Sequence, residues 1–156
     1  MIKQDNNIKM IARNRKARYN YQIEASIEAG LELKGSEVKS IREGKVTMSD
    51  AYAIIEGGQA FLRNLHISPY KMAQESLDPT RPRRLLLHKR EIRKLWNQTQ
   101  QRGMSIVPLA IYFRGAYAKV ELGIGVGRKK YDKRQAIAQA EAERKIKRAM
   151  RRDIDR

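Results

Sequence analysis

The sequence predicts a mainly β protein: a small closed antiparallel barrel with short helices and a basic C-terminal tail that is disordered or helical. Three observations carry this. Apolar and polar residues alternate at period two through much of Tyr19 to Val126. Glycines stand where tight reversals between such segments are needed. From Gly127 to Arg156 the chain holds twelve basic and five acidic residues, net +7, with few large apolar ones.

In chain order, Met1 to Arg18 holds six basic residues and one acidic residue without apolar periodicity, and reads as an entry arm. Tyr21 to Gly30 alternates as a first strand. Ser36 to Glu43 begins on a serine suited to capping, places Val38 and Ile41 on one face and stops at Gly44, which predicts a short helix. Ala51 to Glu56 is a second strand, Gly57 and Gly58 supply the positive-φ pair of a tight hairpin, and Gln59 to Ile67 returns as its partner. Lys89 to Arg102 predicts a second helix, with Ile92, Leu95 and Trp96 at helical spacing, Arg90, Arg93 and Lys94 on the other face, and a stop at Gly103. Ser105 to Arg114 and Tyr117 to Val126 form the strongest hairpin, hinged at Gly115. In its second strand Val120, Leu122, Ile124 and Val126 share one face and Gly123 and Gly125 the other, with Gly127 just beyond. Glycines on a single face let a strand bend sharply or let another backbone come close, so a barrel bend and an approach of RNA are both open. Short antiparallel strands with small helices between them suggest a barrel, and in a chain this basic the oligonucleotide-binding type leads. The predicted organisation is an arm at 1–13, a barrel at 14–126 and a tail at 127–156.

Lys and Arg number 34 against 17 acidic residues, a net charge of +17 and a pI near 10.4. Such a surplus repels itself in a compact state, and its natural counter-charge is phosphate. Nucleic acid is the first expectation and an anionic membrane surface the second. The membrane reading is the weaker, because no stretch has the apolar length of a span and the first residues lack a signal peptide's apolar segment. The chain has no cysteine, which rules out disulfides and thiolate metal sites and suits a reducing, cytoplasmic location.

Catalytic parts are few. The histidines, His66 and His88, fall on unrelated elements, and no glycine loop or metal-ligand spacing is present. Glu24, Glu28 and Glu32 recur every fourth residue, which the strand pattern places on one solvated outward face. The expectation is a non-enzymatic protein with no metal and no cofactor. A nuclease with its acid and base on separate elements is the rival from another class.

The basic clusters say more. Between Arg81 and Lys94 stand seven Lys or Arg and one Glu, led by Arg81, Arg83 and Arg84 and ending beyond His88 and Arg90. Two prolines keep the entry to this run extended. That density reads as a phosphate-contacting surface, against the blander reading of a solvated helix and loop. Asn14 to Tyr21 mixes cations with tyrosines, which suits phosphate contact and base stacking as well as entry into a core strand.

Read in order, these segments resemble the SsrA-binding protein family, also called small protein B. The pattern runs Asn14 to Arg18, Glu28 to Gly35, Glu37 to Arg42, Ser49 to Ala53 and Asn64 to Tyr70. It continues with Pro82 to His88, Glu91-Ile92, Pro108 to Tyr112 and Gly127 to Arg134, so that it spans Asn14 to the end of the chain. The resemblance implies an oligonucleotide-binding type barrel that binds transfer-messenger RNA (tmRNA) and delivers it to stalled bacterial ribosomes, as a monomer in the RNA complex. That RNA brings an alanine-charged, tRNA-like end without an anticodon arm. The protein fills the missing place, and its tail probes the decoding centre and messenger channel of the small subunit, so that the stalled peptide is tagged for proteolysis. By position, Glu28, Leu86 and His88 match the family's RNA-binding surface, to which the local charge adds Arg83, Arg84 and Arg90. Gly127, Lys129, Tyr131, Asp132, Lys133 and Arg134 match the tail segment that works inside the ribosome. Arg128 departs from the usual lysine, which keeps the charge but changes its hydrogen-bond geometry. A ribosomal protein or general RNA chaperone would share the charge and the barrel, and is the alternative.

Overall fold

The computed structural model describes residues 7–73, 77–128 and 130–154. The chain is mainly β with short helices. Strand β1 (Ile8–Arg13) leads into α1 (Arg15–Asn20) and the long β2 (Tyr21–Leu31), followed by α2 (Gly35–Arg42) and the short β3 (Val46–Thr47). Then come the hairpin β4 (Tyr52–Glu56) and β5 (Gln59–Arg63), the short β6 (His66–Ile67), β7 (Arg83–Leu86) and α3 (Lys89–Arg102). A second hairpin, β8 (Ser105–Arg114) and β9 (Tyr117–Gly127), precedes α4 (Lys130–Ile154). The main sheet is antiparallel, in the order β1-β8-β4-β5-β7-β2-β9, and β9 pairs with β8 as well, so the ladder runs from β8 through β4, β5, β7, β2 and β9 back to β8.

The expected hairpins form where the glycines place them, but the return strand expected to reach Ile67 ends at Arg63, and His66–Ile67 pairs instead with β3 in a separate two-stranded sheet. Glu56 faces Gln59 across a two-residue turn whose Gly57 and Gly58 have φ of 58° and 74°, the pair of positive values that matches the twist of the flanking strands. Both expected helices form as well. Gly103, at φ 64°, ends α3 in the left-handed conformation. The start of α2 differs from the expectation: Lys34 rather than Ser36 is its N-cap, and its free amide donates to the Glu37 side chain at 2.9 Å. The carboxylate three residues in satisfies the N-cap amide, which is the reciprocal half of a capping box and not the bond a serine hydroxyl would accept.

The stretch read as an arm without periodicity carries real structure. Its residues Ile8–Arg13 pair along β8, from Ile8 opposite Arg114 to Arg13 opposite Ala110. Asn14 then begins α1: its Oδ1 accepts from the Ala17 amide at 3.2 Å, while its amide group donates to the Pro108 carbonyl at 2.9 Å. A side chain that caps a helix and bridges to β8 at once is buried because all its polar atoms are used.

Bulges reset the inward face. The β2–β9 register shifts between Ile23 and Ala25, and the β8–β9 register between Pro108 and Ala110. Each shift reverses the alternation beyond it. Ile27, Ala29 and Leu31 of β2 and Ile111 and Phe113 of β8 therefore join the main core with Val120, Leu122 and Ile124, whereas Ile23, Val107 and Leu109 pack outside it against Ala17. Of the apolar face expected on β9, Val126 lies beyond the core and is exposed. The bulge also takes Glu24 out of strict alternation with Glu28. The glycine question resolves toward packing within the chain. A Cβ on Gly125 would lie 2.1 Å from the Gln22 carbonyl oxygen, so the backbone that comes close is that of β2.

Alanine at the glycines of β9 should separate rigid from yielding obstacles. Gly125→Ala meets backbone and should cost more than the roughly 1–3 kcal/mol typical of overpacking. Gly123→Ala meets only the Leu109 side chain and should fall within that range, whereas Gly35→Ala, with open space, should stay within about 0.5 kcal/mol. Urea unfolding midpoints of the three variants give the order.

Candidate nucleic-acid interface

β7 splits the basic run in two. Strand residues alternate, so Arg83 and Leu85 turn inward while Arg84 and Leu86 turn outward. Arg83 was expected on the phosphate-contacting surface. The structure corrects this, since the side chain is fully buried. Its Nε and Nη2 donate to Glu37 Oε2 at 2.9 and 2.7 Å, Nη2 also reaches the Pro79 carbonyl at 3.0 Å, and Nη1 donates to the Leu65 carbonyl. Arg81 adds Nε to the same Glu37 oxygen at 3.0 Å and Nη2 to Oε1. Burial alone pushes the Glu37 carboxyl up. The donors from Arg81, Lys34 and Arg83 outweigh it, so its pKa falls below the ordinary 4.5.

The outward residues build a groove. Gly30 of β2 pairs with Leu86, and a Cβ there would stand 3.1 Å from Leu86 Cβ, so the missing side chain is what lets Leu86 lie across β2. Beyond it the chain turns at His88, the N-cap of α3, whose free amide is satisfied by Glu91 at 2.9 Å. The cavity between β2, β7 and α3 measures about 620 Å³ and is lined by Glu28, Arg84, Leu86, His88, Lys89 and Lys119, among others. Leu86 remains half exposed, an apolar side chain open to a ligand's flat face.

Glu28 is held on the outer face of the sheet. The Tyr112 hydroxyl and Arg114 Nη2, the latter at 2.8 Å, both donate to its Oε2. Partial burial raises its pKa, but these bonds together with the charges of Arg114 and Lys119 more than offset the effect and bring it below 4.5. A carboxylate kept ionised in a groove with Arg84 and Lys119 can accept hydrogen bonds while its cations meet phosphate.

A family model described as SmpB protein matches residues 11–152. The chain belongs to the SmpB family. It is 55% identical over 146 residues to the SsrA-binding protein of Halothermothrix orenii, covering 93% of this chain and 94% of that protein. To the SsrA-binding protein of Geobacillus thermodenitrificans it is 51% identical over 144 residues, covering 92% and 93% of the two chains. A solved structure described as "tmRNA-SmpB: a journey to the center of the bacterial ribosome" superimposes with a TM-score of 0.66 at 44% identity, over 83% of this chain and 95% of that one.

Within this SmpB fold, Glu28, Arg84, Leu86 and His88 of the expected residues meet in one groove, while Arg90 is exposed on the first turn of α3 outside its lining. The tail residues lie elsewhere. Gly127 ends β9 opposite Tyr21, and the Arg128 amide donates to the Asn20 carbonyl at 2.8 Å. Tyr131, Asp132, Lys133 and Arg134 fall in the first turns of α4, and Lys129 lies outside the described residues. Glu28 and Tyr21 are seven residues apart on β2, so about 23 Å of ladder separates the groove from the root of the tail. Sequence reading missed Lys119, Tyr112 and Arg114 as parts of the site. Lys119's place on the glycine-bearing face of β9, facing Gly30, was the available signal.

The correction at Arg83 has a measurable consequence. Arg83→Ala removes two of the donors that hold the buried Glu37 carboxylate and should cost about 3–5 kcal/mol, whereas Arg84→Ala, which loses an exposed 3.7 Å pair with Glu32, should cost less than about 1 kcal/mol. Because the folded pKa of Glu37 is depressed, its contribution is complete above the unfolded value of about 4.5 and is lost as pH falls through the folded one. Melting temperatures of the parent chain should therefore drop below pH 4.5 more steeply than those of Glu37→Gln.

Proposed function

We propose that this chain binds transfer-messenger RNA through the groove between β2, β7 and α3 and delivers it to ribosomes stalled without a usable codon, in the bacterial cytoplasm, without catalysing a reaction itself. The observation that carries this is the convergence of Glu28 of β2 with Arg84, Leu86 and His88 of the β7–α3 segment in one outward groove of a member of the SmpB family. The ring of strand pairings is read as the closed barrel of oligonucleotide-binding type, with 1–13 as an arm that adds β1 to its outside, 14–126 as the RNA-binding body and 127–156 as the tail. The apolar side chain of Leu86 and the ring of His88 suit flat bases, the cations of the groove and of α3 suit phosphates, and Glu28 suits amino or 2′-hydroxyl donors.

The tail acts at a different place. Starting at the far end of the β2–β9 ladder, Tyr131 and the charged residues around it are assigned to the decoding centre and messenger channel, where they stand in for an anticodon arm. In α4 the side chains of Ile137, Ile146 and Met150 are exposed, so the helix has little apolar cover of its own and gains most when a ribosomal surface supports it.

Two measurements test the division. Replacing Arg84 and Arg90 together by Gln should make the log–log salt dependence of tmRNA binding shallower, by about 0.7–0.9 for each phosphate no longer neutralised. An unchanged slope would place both residues off the RNA. Ending the chain after Gly127 should leave tmRNA affinity within about tenfold while abolishing tag addition on ribosomes stalled at a message's end. If truncation harms RNA affinity as severely as tagging, the tail belongs to the primary RNA site. Equal affinity for tmRNA and an unrelated RNA of the same length would favour a general RNA chaperone instead.

A further inference from the structure

Register places Glu28 directly opposite Glu121 on β9, a like-charge pair that the sheet must keep apart. It does so with separate partners. Glu121 lies 3.7 Å from Arg18 of α1, whereas Glu28 reaches across β9 to Tyr112 and Arg114 of β8. Tyr112 is buried on the outer face, between Met10 of β1 and Lys119 of β9 in the register. The Arg114 side chain is itself about two-fifths exposed, and an exposed ion pair of this kind holds a carboxylate only loosely. The buried hydroxyl is the firmer of the two donors.

We propose that Tyr112 is a positioning residue for RNA recognition: its hydroxyl holds Glu28 Oε2, so that the carboxylate meets RNA in one orientation with Oε1 accepting from a base amino group or a ribose 2′-hydroxyl. This rests on the groove being the RNA site and adds to it the part that makes a flexible glutamate specific. A glutamate free to rotate loses side-chain freedom when it binds, and one already held by a buried donor loses less, which is a gain in affinity without a new contact. The same bond stabilises the ionised form. Desolvation and the Glu28 carboxylate push the Tyr112 phenol above its ordinary range, so it remains a donor at any pH at which the chain is used. The titratable and charged groups around Glu28 are Tyr112 and Arg114 on β8, Lys119 and Glu121 on β9, and Arg84 and His88 across the groove.

The test uses the full chain with Tyr112→Phe, which keeps the ring and removes only the donor, with Glu28→Gln, and with both changes together. Carboxyl-carbon NMR titration of the free chain should move the Glu28 midpoint upward in Tyr112→Phe. Affinity for the tRNA-like domain of tmRNA should fall about two- to tenfold at neutral pH, the cost of immobilising one freed side chain on binding. In Tyr112→Phe affinity should also begin to fall at a higher pH than in the parent as the solution is made acid, because binding needs the ionised carboxylate. Titration of the other groups is shared by both proteins and cancels in the comparison. The double variant should bind no more weakly than Glu28→Gln alone. Additive losses, or an unchanged midpoint and affinity, would overturn the proposal while leaving the groove intact as the RNA site. A Tyr112→Phe chain that fails to fold would overturn it too, since the hydroxyl would then be holding the sheet together. Full affinity in Glu28→Gln would remove the groove reading and this proposal with it.

Discussion

The ion pair between Glu37 and Arg83 joins three parts of the chain that are far apart in sequence. Glu37 belongs to the first turn of α2, Arg83 opens β7, and the same guanidinium satisfies the carbonyls of Leu65 and Pro79. Both side chains are almost wholly removed from water. Two charges so placed recover little net energy, because their desolvation consumes most of the attraction. What the pair controls is phase. With Arg83 tied inward, Leu85 follows it into the core and Arg84 and Leu86 must face out, whereas a slip of one residue would bury Arg84 and expose Arg83. The outward face of the groove thus depends on an interaction made on the opposite side of the same strand. A second guanidinium, from Arg81, reaches the other oxygen of Glu37, Oε1, which also accepts from the Lys34 amide, and closes the network.

The local rules of the sequence were enough for the hairpins and the helix stops, since a turn at Gly57-Gly58 or a stop at Gly103 is decided by a few adjacent residues. They failed where a long-range pairing set the outcome. The bulges near Ile23 and Leu109 reverse alternation in mid-strand; Pro108, which has no amide for the ladder, marks the one in β8, but nothing in β2 alone marks the residue at which this happens. Ile8–Arg13 looks aperiodic because the register of β1 against β8 shifts between Met10 and Ala12, so that the adjacent pair Ile11 and Ala12 packs on the core while its other residues stay exposed. The start of α2 after Lys34 rather than at Ser36 has the same origin, for the Glu37 carboxylate that holds the Lys34 amide is fixed by two arginines that lie 44 and 46 residues downstream.

At the candidate site the sequence pointed to the right segment and blurred its residues. Charge density selects Arg81 to Lys94 as a whole, but composition treats Arg81, Arg83, Arg84 and Arg90 alike. The fold gives them four different situations: a partly buried partner of Glu37, a buried one, an exposed groove cation and an exposed helix cation. The pattern Arg84, Leu85, Leu86 already contains the alternation that separates them, yet a strand of four residues between a proline loop and a helix is too short to be phased without its partners. Glu28 could be picked out by resemblance alone. Its physical setting, a hydroxyl 84 residues away, emerges only when β2 and β8 are seen flanking β9.

That setting bears on why a carboxylate belongs in the groove of a chain with net charge +17. Long-range attraction draws in any RNA, and it carries no sequence or shape information. Cations in the groove alone would hold any stretch of phosphate backbone that fitted. A fixed carboxylate beside Arg84 and Lys119 changes the balance. It repels a phosphate placed over it and rewards a base or ribose donor there, so wrong poses lose more than the right one gains. Discrimination of this kind needs a rigid acceptor, because a mobile glutamate would swing aside for a phosphate at little cost. On the proposed reading the Tyr112 hydroxyl supplies that rigidity, with Arg114 as the looser second donor, and the part of the charge surplus carried by α4 starts at the other end of the ladder, where it would strengthen encounter without diluting a choice made in the groove.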